Sequence, residues 1–219
     1  VHAVGRDDAG RLLLVMKRVD GVAWSDLLHD AEHPRWGLLA PREEDRLELH
    51  LSVLAQVANA LQFAHSRGTI HRDVKPENVL LGEHGEVYLA DWGIALRMGS
   101  AANHSLVGTP AYMAPEMVRA DSTRIDARTD VFLLGATLHE VLTGQPPYSG
   151  ASIHAVLVAA YDAEVPTYGP EVPSELAAIA RRAMAASPED RFPSALAFRQ
   201  ALDERRRHAG GFVAVRGRR

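Results

Sequence analysis

Cysteine is absent from the 219 residues, which excludes disulfides, thiolate zinc sites and cysteine nucleophiles outright. A reducing compartment fits that absence. No apolar run approaches the roughly 20 residues needed to span a bilayer, and the chain does not open on a charged segment followed by an apolar core. A cytoplasmic location is expected, or the cytoplasmic face of a membrane in a longer protein. A formal net charge of -4 leaves no basic surface to argue for nucleic acid, and no nucleic-acid partner is expected. Basic residues gather only at the C-terminal end, at Arg205 to Arg207 with Arg216, Arg218 and Arg219. There they read first as a solvated helix end and tail, and second as a membrane-proximal segment. Lysine is scarce: of 24 basic residues only Lys17 and Lys75 are lysines.

What is present is ordinary for one folded domain, with 47% hydrophobic and 24% charged residues. The opening VHAVG reads like the middle of something, so either the chain is a fragment or Val1 stands for a GTG start. LLLVMKRV (12–19) is a short apolar run bounded by Asp-Ala-Gly and Asp-Gly, expected as a strand with VHAVG as its hairpin partner. Leu47, Leu51, Leu54, Val57, Ala58, Leu61 and Ala64 recur at helical spacing and predict a helix over 43–66, stopped by Gly68. NVLLGEHGEVYLADWG predicts a hairpin turning between Gly82 and Gly85. Residues 97–128 carry little periodicity and are expected to be a long irregular segment, which in a compact domain is usually functional. Helices are then expected over 130–143, 152–162, 174–185 and 194–207, with Ser174 and Ser194 as N-caps.

Between the first long helix and the hairpin lies HRDVKPENVLL, which sets an acid, a lysine and an amide at fixed short spacing. Phosphoryl transfer from ATP to a hydroxyl needs a proton acceptor, a cation on the moving phosphate and oxygen ligands for magnesium. Asp73, Lys75 and Asn78 supply one of each, and Asp91, after the hairpin, adds a charged oxygen ligand. A composition that otherwise uses arginine has kept a compact ammonium at Lys75, and phosphate contact is one use for it. The structural reading is that His71, Arg72 and Asp73 merely staple a loop. His65, His71 and the other histidines show no zinc spacing, and His71 reads as a packed structural residue. Trp24 and Trp36 have no assigned function.

In order and spacing, His71-Arg72-Asp73, Lys75, Asn78, Asp91-Trp92-Gly93, GTPAYMAPE (108–116) and DVFLLG (130–135) resemble the C-terminal lobe of protein kinases, most nearly the bacterial serine/threonine kinases of the eukaryotic (Hanks) type. The resemblance implies an α+β fold with a mainly helical C-lobe. It implies a partial kinase domain over 1–207, with 1–19 the end of the N-lobe and the hinge, 20–207 the C-lobe, and 208–219 a basic tail. It makes Asp73 the catalytic base, Lys75 the γ-phosphate contact, and Asn78 and Asp91 the ligands of Mg2+. Leu80 would floor the adenine of ATP, Met16 would be the gatekeeper, and Lys17 to Val19 the hinge. Thr109 would support Asp73 and Lys75, and Arg72 would receive a phosphate placed on Ser105 or Thr109. Glu116 would pair with Arg191, and Asp130 would hold the backbone of the catalytic loop. Trp92 stands where the family has phenylalanine, and Lys17 replaces an acid common at the hinge; both departures should be tolerated.

No G-x-G-x-x-G precedes His71, and the interval from Asp20 to Pro41 is too short for Lys17 to be the family's strand lysine, since a helix with its glutamate and two strands would have to follow. Three readings follow. The first is an N-terminally truncated serine/threonine kinase acting on protein hydroxyls. The second is a non-catalytic scaffold or partner-binding lobe. The third, a small-molecule phosphotransferase, fits GTPAYMAPE poorly, because that segment suits the docking of a polypeptide.

Overall fold

A computed structural model of the chain describes residues 3–15, 18–98, 106–121, 123–164 and 166–216, so that Met16, Lys17 and Ser105 lie outside the described residues. The chain opens on the expected hairpin: β1 (Ala3–Arg6) pairs antiparallel with β2 (Leu12–Val15), Val4 opposite Leu14. Strand β3 (Gly21–Ala23) leads into two short helices, α1 (Trp24–His29) and α2 (Trp36–Leu39), neither of which the periodicity announces because neither completes two turns. Their anchors are the two tryptophans. Fully buried Trp24 donates its indole N–H to Nδ1 of His50 at 2.7 Å, and Trp36 donates to the Asp30 carbonyl at 2.9 Å. Burial pushes the His50 pKa down to about 4, so near neutral pH its imidazole is uncharged and Nδ1 can accept.

His50 belongs to α3 (Glu43–Ser66), the predicted helix, which ends as expected with Gly68 in the left-handed region at φ 74. Strand β4 (Thr69–Ile70) then precedes a 3-10 turn at Pro76–Asn78, and β5 (Val79–Gly82) and β6 (Val87–Leu89) form the expected hairpin with Gly85 at φ 86. β5 is central in its sheet, with Val22 opposite Leu81 and Val79 opposite Leu89. β7 (Leu96–Arg97) returns to pair with β4, Thr69 opposite Arg97. Among its described residues, the segment expected to be irregular holds a 3-10 turn at Pro110–Tyr112 and the single-turn helix α4 (Pro115–Val118), both started by proline.

Helix α5 (Ala127–Thr143) starts earlier than the apolar run suggests, because Asp126 and Thr129 form a capping box, and it stops at Gly144 with φ 73. Eleven of its 17 residues are buried, which makes it the central rod of the fold rather than a surface helix. Its Phe132, Leu133, Leu134 and Leu138 meet Leu51, Leu54 and Leu61 of α3 in one core. Helices α6 (Ile153–Asp162), α7 (Ser174–Ala183) and α8 (Ala195–Arg216) complete the body. Ser152 caps α6 and Ser194 caps α8. Ser174 is instead the first helical residue of α7, with Pro173 at the cap position and no side-chain bond there, and α8 runs on past 207. Gly135 is required where α5 meets α7: a Cβ there would lie 2.6 Å from that of Ala183. The chain is thus α+β, mainly helical, with small antiparallel sheets.

A buried ion pair fastens the end of the irregular segment to the body. Glu116 takes two bonds from Arg191, at 2.7 and 2.8 Å, and the other three N–H groups of Arg191 go to the carbonyls of Ala185, Arg128 and Ala186. Thr129 donates to the same carboxylate at 2.9 Å. Removing one partner would leave a buried charge without its mate. Arg191→Met is therefore expected to lower the unfolding free energy by roughly 3–5 kcal/mol, read from urea denaturation. In native-state hydrogen exchange, the amides of β1 and β2 are expected to exchange far faster than those of β5, because their two-stranded sheet exposes Val4, Leu13 and Val15.

Candidate active site

The turn after β4 is built around one carboxylate. Asp130, fully buried in the first turn of α5, accepts from the backbone N–H of His71 and of Arg72, both at 2.9 Å, and from Nε2 of His65 at 2.7 Å. Arg72 sits in the left-handed region at φ 71, a conformation that costs a non-glycine residue on the order of 1–3 kcal/mol and persists only where neighbours hold it. The two Asp130 bonds do so, together with the bond from Arg72 Nε to the Ile94 carbonyl at 2.7 Å. His71 is fully buried, as expected of a packed histidine, and burial lowers its pKa. The neutral ring accepts from the Asp73 N–H at Nδ1, so the proton is on Nε2, which donates to the Ala90 carbonyl at 2.9 Å. The indole of Trp92 stacks edge-on against it at 4.5 Å and donates to the Leu89 carbonyl, so the tryptophan's extra N–H is satisfied.

This frame presents Asp73, with every oxygen of its carboxylate engaged. Thr109 Oγ1 donates to Oδ1 at 2.7 Å, Asn78 Nδ2 donates to Oδ2 at 2.8 Å, and Lys75 Nζ lies 3.4 Å from Oδ2. Lys75 also donates to Thr109 Oγ1 at 2.5 Å, so the hydroxyl accepts a hydrogen bond from the ammonium and donates one to the aspartate. Four residues from two distant stretches of chain therefore share one polar knot.

Asn78 also donates to the Asp73 carbonyl at 2.8 Å. Two acceptors fix its orientation, and the amide oxygen is the atom left to meet a hard cation. The hairpin register adds a bond from the Ala90 N–H to the Asn78 carbonyl, which sets Asp91 one residue beyond that rung. Asp91 is exposed, at φ 54, with Oδ1 accepting from the Gly93 N–H at 3.2 Å. The Asn78 amide oxygen and the Asp91 carboxylate are both hard oxygen donors, the kind that suits Mg2+. Leu80, half-buried on β5, stands opposite Ala23 and Tyr88. Val19 lines a hollow with Arg18, Asp20 and the β5–β6 turn.

Gly108, with φ 119, precedes Thr109 where a Cβ would lie 2.9 Å from Met117 and 3.2 Å from the Arg72 carbonyl, so glycine is needed for this segment to lie on the turn 71–73. Beyond it, Tyr112 donates to Glu140 at 2.6 Å, and His29 reaches the same carboxylate at 3.2 Å. The sequence did not single out His29, His65, Tyr112 or Glu140 for these contacts. A glutamate among Leu and Val in the last turns of an apolar helix was the available signal for Glu140, whereas the distance from His65 to Asp130 along the chain left none.

The model of the protein kinase domain matches residues 7–203. Serine/threonine-protein kinase PknB of Mycobacterium tuberculosis is 36% identical over 200 residues, covering 86% of this chain and 29% of that protein. PknB of Mycolicibacterium smegmatis is 35% identical over 199 residues, with the same coverage. PknH of M. tuberculosis is 35% identical over 219 residues, covering 93% of this chain and 32% of that protein. The chain thus spans about a third of the length of these relatives or less. With a domain match over nearly all of its length and identity of this order, the chain belongs to the protein kinase domain family, among the bacterial serine/threonine kinases of the Hanks type.

Proposed function

We propose that the intact protein transfers the γ-phosphoryl group of ATP to serine or threonine hydroxyls of protein substrates. The observation that carries this reading is the knot of Asp73, Lys75, Asn78 and Thr109, which holds a carboxylate, an ammonium and an amide oxygen within one turn of chain. In this reading the acceptor hydroxyl hydrogen-bonds to Asp73. As its oxygen bonds to the γ-phosphorus, its proton passes to the Asp73 carboxylate, and the bond from phosphorus to the β–γ bridging oxygen breaks, releasing ADP. Donors from Thr109 and Asn78 keep the carboxylate from rotating away, so orientation is supplied before the reaction. Lys75 puts its charge where the transferred group's oxygens gather negative charge.

Asn78 and Asp91 would hold Mg2+, whose charge, when bound, offsets that of the triphosphate. Leu80 would lie beneath the adenine, Met16 would be the gatekeeper, and Lys17 to Val19 would be the hinge that ends the 1–19 part and leads into the lobe formed by 20–207. Arg72 would receive a phosphate from the segment after Asp91. Ser105 is the favoured acceptor of that phosphate, since the Thr109 hydroxyl is already committed to Lys75 and Asp73. Glu116 with Arg191, and Asp130, would act structurally.

Asp73→Asn in the intact protein is expected to lower phosphotransfer from labelled ATP by about 10²- to 10⁴-fold, with a melting temperature close to wild type; equal activity would remove the mechanism. Chelation of divalent metal should abolish transfer, and Asp91→Asn should raise the magnesium concentration for half-maximal rate by about tenfold or more, measured by titrating MgCl2 at fixed ATP.

A further inference from the structure

Glu140 is 1% exposed, on the central helix α5. A carboxylate so placed is costly unless hydrogen-bonded, and here its two oxygens are divided between two other elements. Oε2 accepts from Tyr112 in the 3-10 turn directly after Thr109, at 2.6 Å, and Oε1 meets Nε2 of His29 in the last turn of α1, at 3.2 Å. Burial raises the Glu140 pKa and Glu77, from the turn after Lys75, adds to the rise, while Tyr112 and His29 both oppose it. His29 is half-exposed, at the mouth of a surface hollow shared with Ser25, Asp26, Asp30 and His33.

Resting on the kinase reading above, we infer that His29 is a positioning residue for the protein substrate: through Glu140 it holds Tyr112, and so the turn 110–112 past which the acceptor chain must run to bring its hydroxyl to Asp73. The geometry gives the reason. Thr109 fixes one end of that turn to Asp73 and Lys75, and Tyr112 fixes the other end to α5. The strength of the second hold depends on Glu140 staying ionised, since a carboxylate accepts a more strongly held hydrogen bond than a carboxylic acid does. His29, on the other carboxylate oxygen, favours the ionised form against the burial and the Glu77 charge that oppose it. Because α1 follows β3 and residues 18–20 directly, the same contact ties the chain leading from the nucleotide side to the acceptor side.

The test compares His29→Ala and His29→Lys with wild type in the intact protein. With His29 replaced by alanine, the peptide-substrate KM is expected to rise about three- to tenfold while the KM for ATP is unchanged, and lysine should restore most of the loss. Glu140 then lacks a partner that lowers its pKa and takes up a proton at higher pH, so the acid limb of the peptide-KM profile should move to higher pH. The amides of Tyr112 and Met113, which bond to the carbonyls of Thr109 and Pro110, should exchange hydrogen faster in His29→Ala. Unchanged peptide KM with unchanged exchange would overturn the inference, as would a parallel rise in the KM for ATP. Should wild type transfer no phosphate, the kinase reading fails, and the exchange comparison decides separately: faster exchange upholds the hold on the turn, and equal exchange overturns it.

Discussion

The site depends on the buried carboxylate of Asp130. It accepts two backbone N–H groups from the turn and one imidazole from the end of α3, and so joins the central helix, the longest amphipathic helix and the reactive turn at a single point. The arrangement is cooperative in a simple sense. His71 and Arg72 have no strand or helix partner for those N–H groups, and a buried donor left unpaired costs about 1–3 kcal/mol. Arg72 at φ 71 adds strain that would otherwise relax by swinging Asp73 elsewhere. The Asp73 carboxylate is thus aimed by the backbone behind it, and that backbone is pinned to the deeply buried helix α5.

A second chain of contacts runs from the same rod to the segment 108–116. Glu140 holds Tyr112, Thr129 and Arg191 hold Glu116, and Thr109 reaches back to Asp73 and Lys75. The segment has little regular secondary structure but buries Tyr112, Met113 and Ala114 in the core, so polar anchors spaced along it act together with that packing.

Much of this was legible in the sequence wherever a local rule sufficed. The helix Glu43–Ser66 followed from spacing and a glycine stop, the hairpin Val79–Leu89 from two β-rich runs around glycines, and the strand pair at the start from its flanking turns. Ser194 was read correctly as a cap, while Ser174 was not, since a serine beside a proline can occupy either the cap or the first helical position and only backbone angles distinguish them. α1 and α2 escaped because six and four residues are too few to show a period, and the two tryptophans that anchor them gave no local sign of facing His50 and Asp30.

Residue type and spacing by themselves determined the hairpins and the helical body, and through the resemblance they carry they implied the α+β class; they also marked Asp73, Lys75, Asn78 and Asp91 as candidates for phosphate chemistry, since these lie close enough along the chain to be read together. Tertiary structure alone decided what holds them. The partners of Asp73 and Asp130 include Thr109 and His65, 36 and 65 residues away along the chain, and the contacts of Glu140 with Tyr112 and His29 cross three separate elements. Periodicity and turn chemistry act over a few residues, whereas a buried polar group takes whichever partner the packed core brings within about 3 Å.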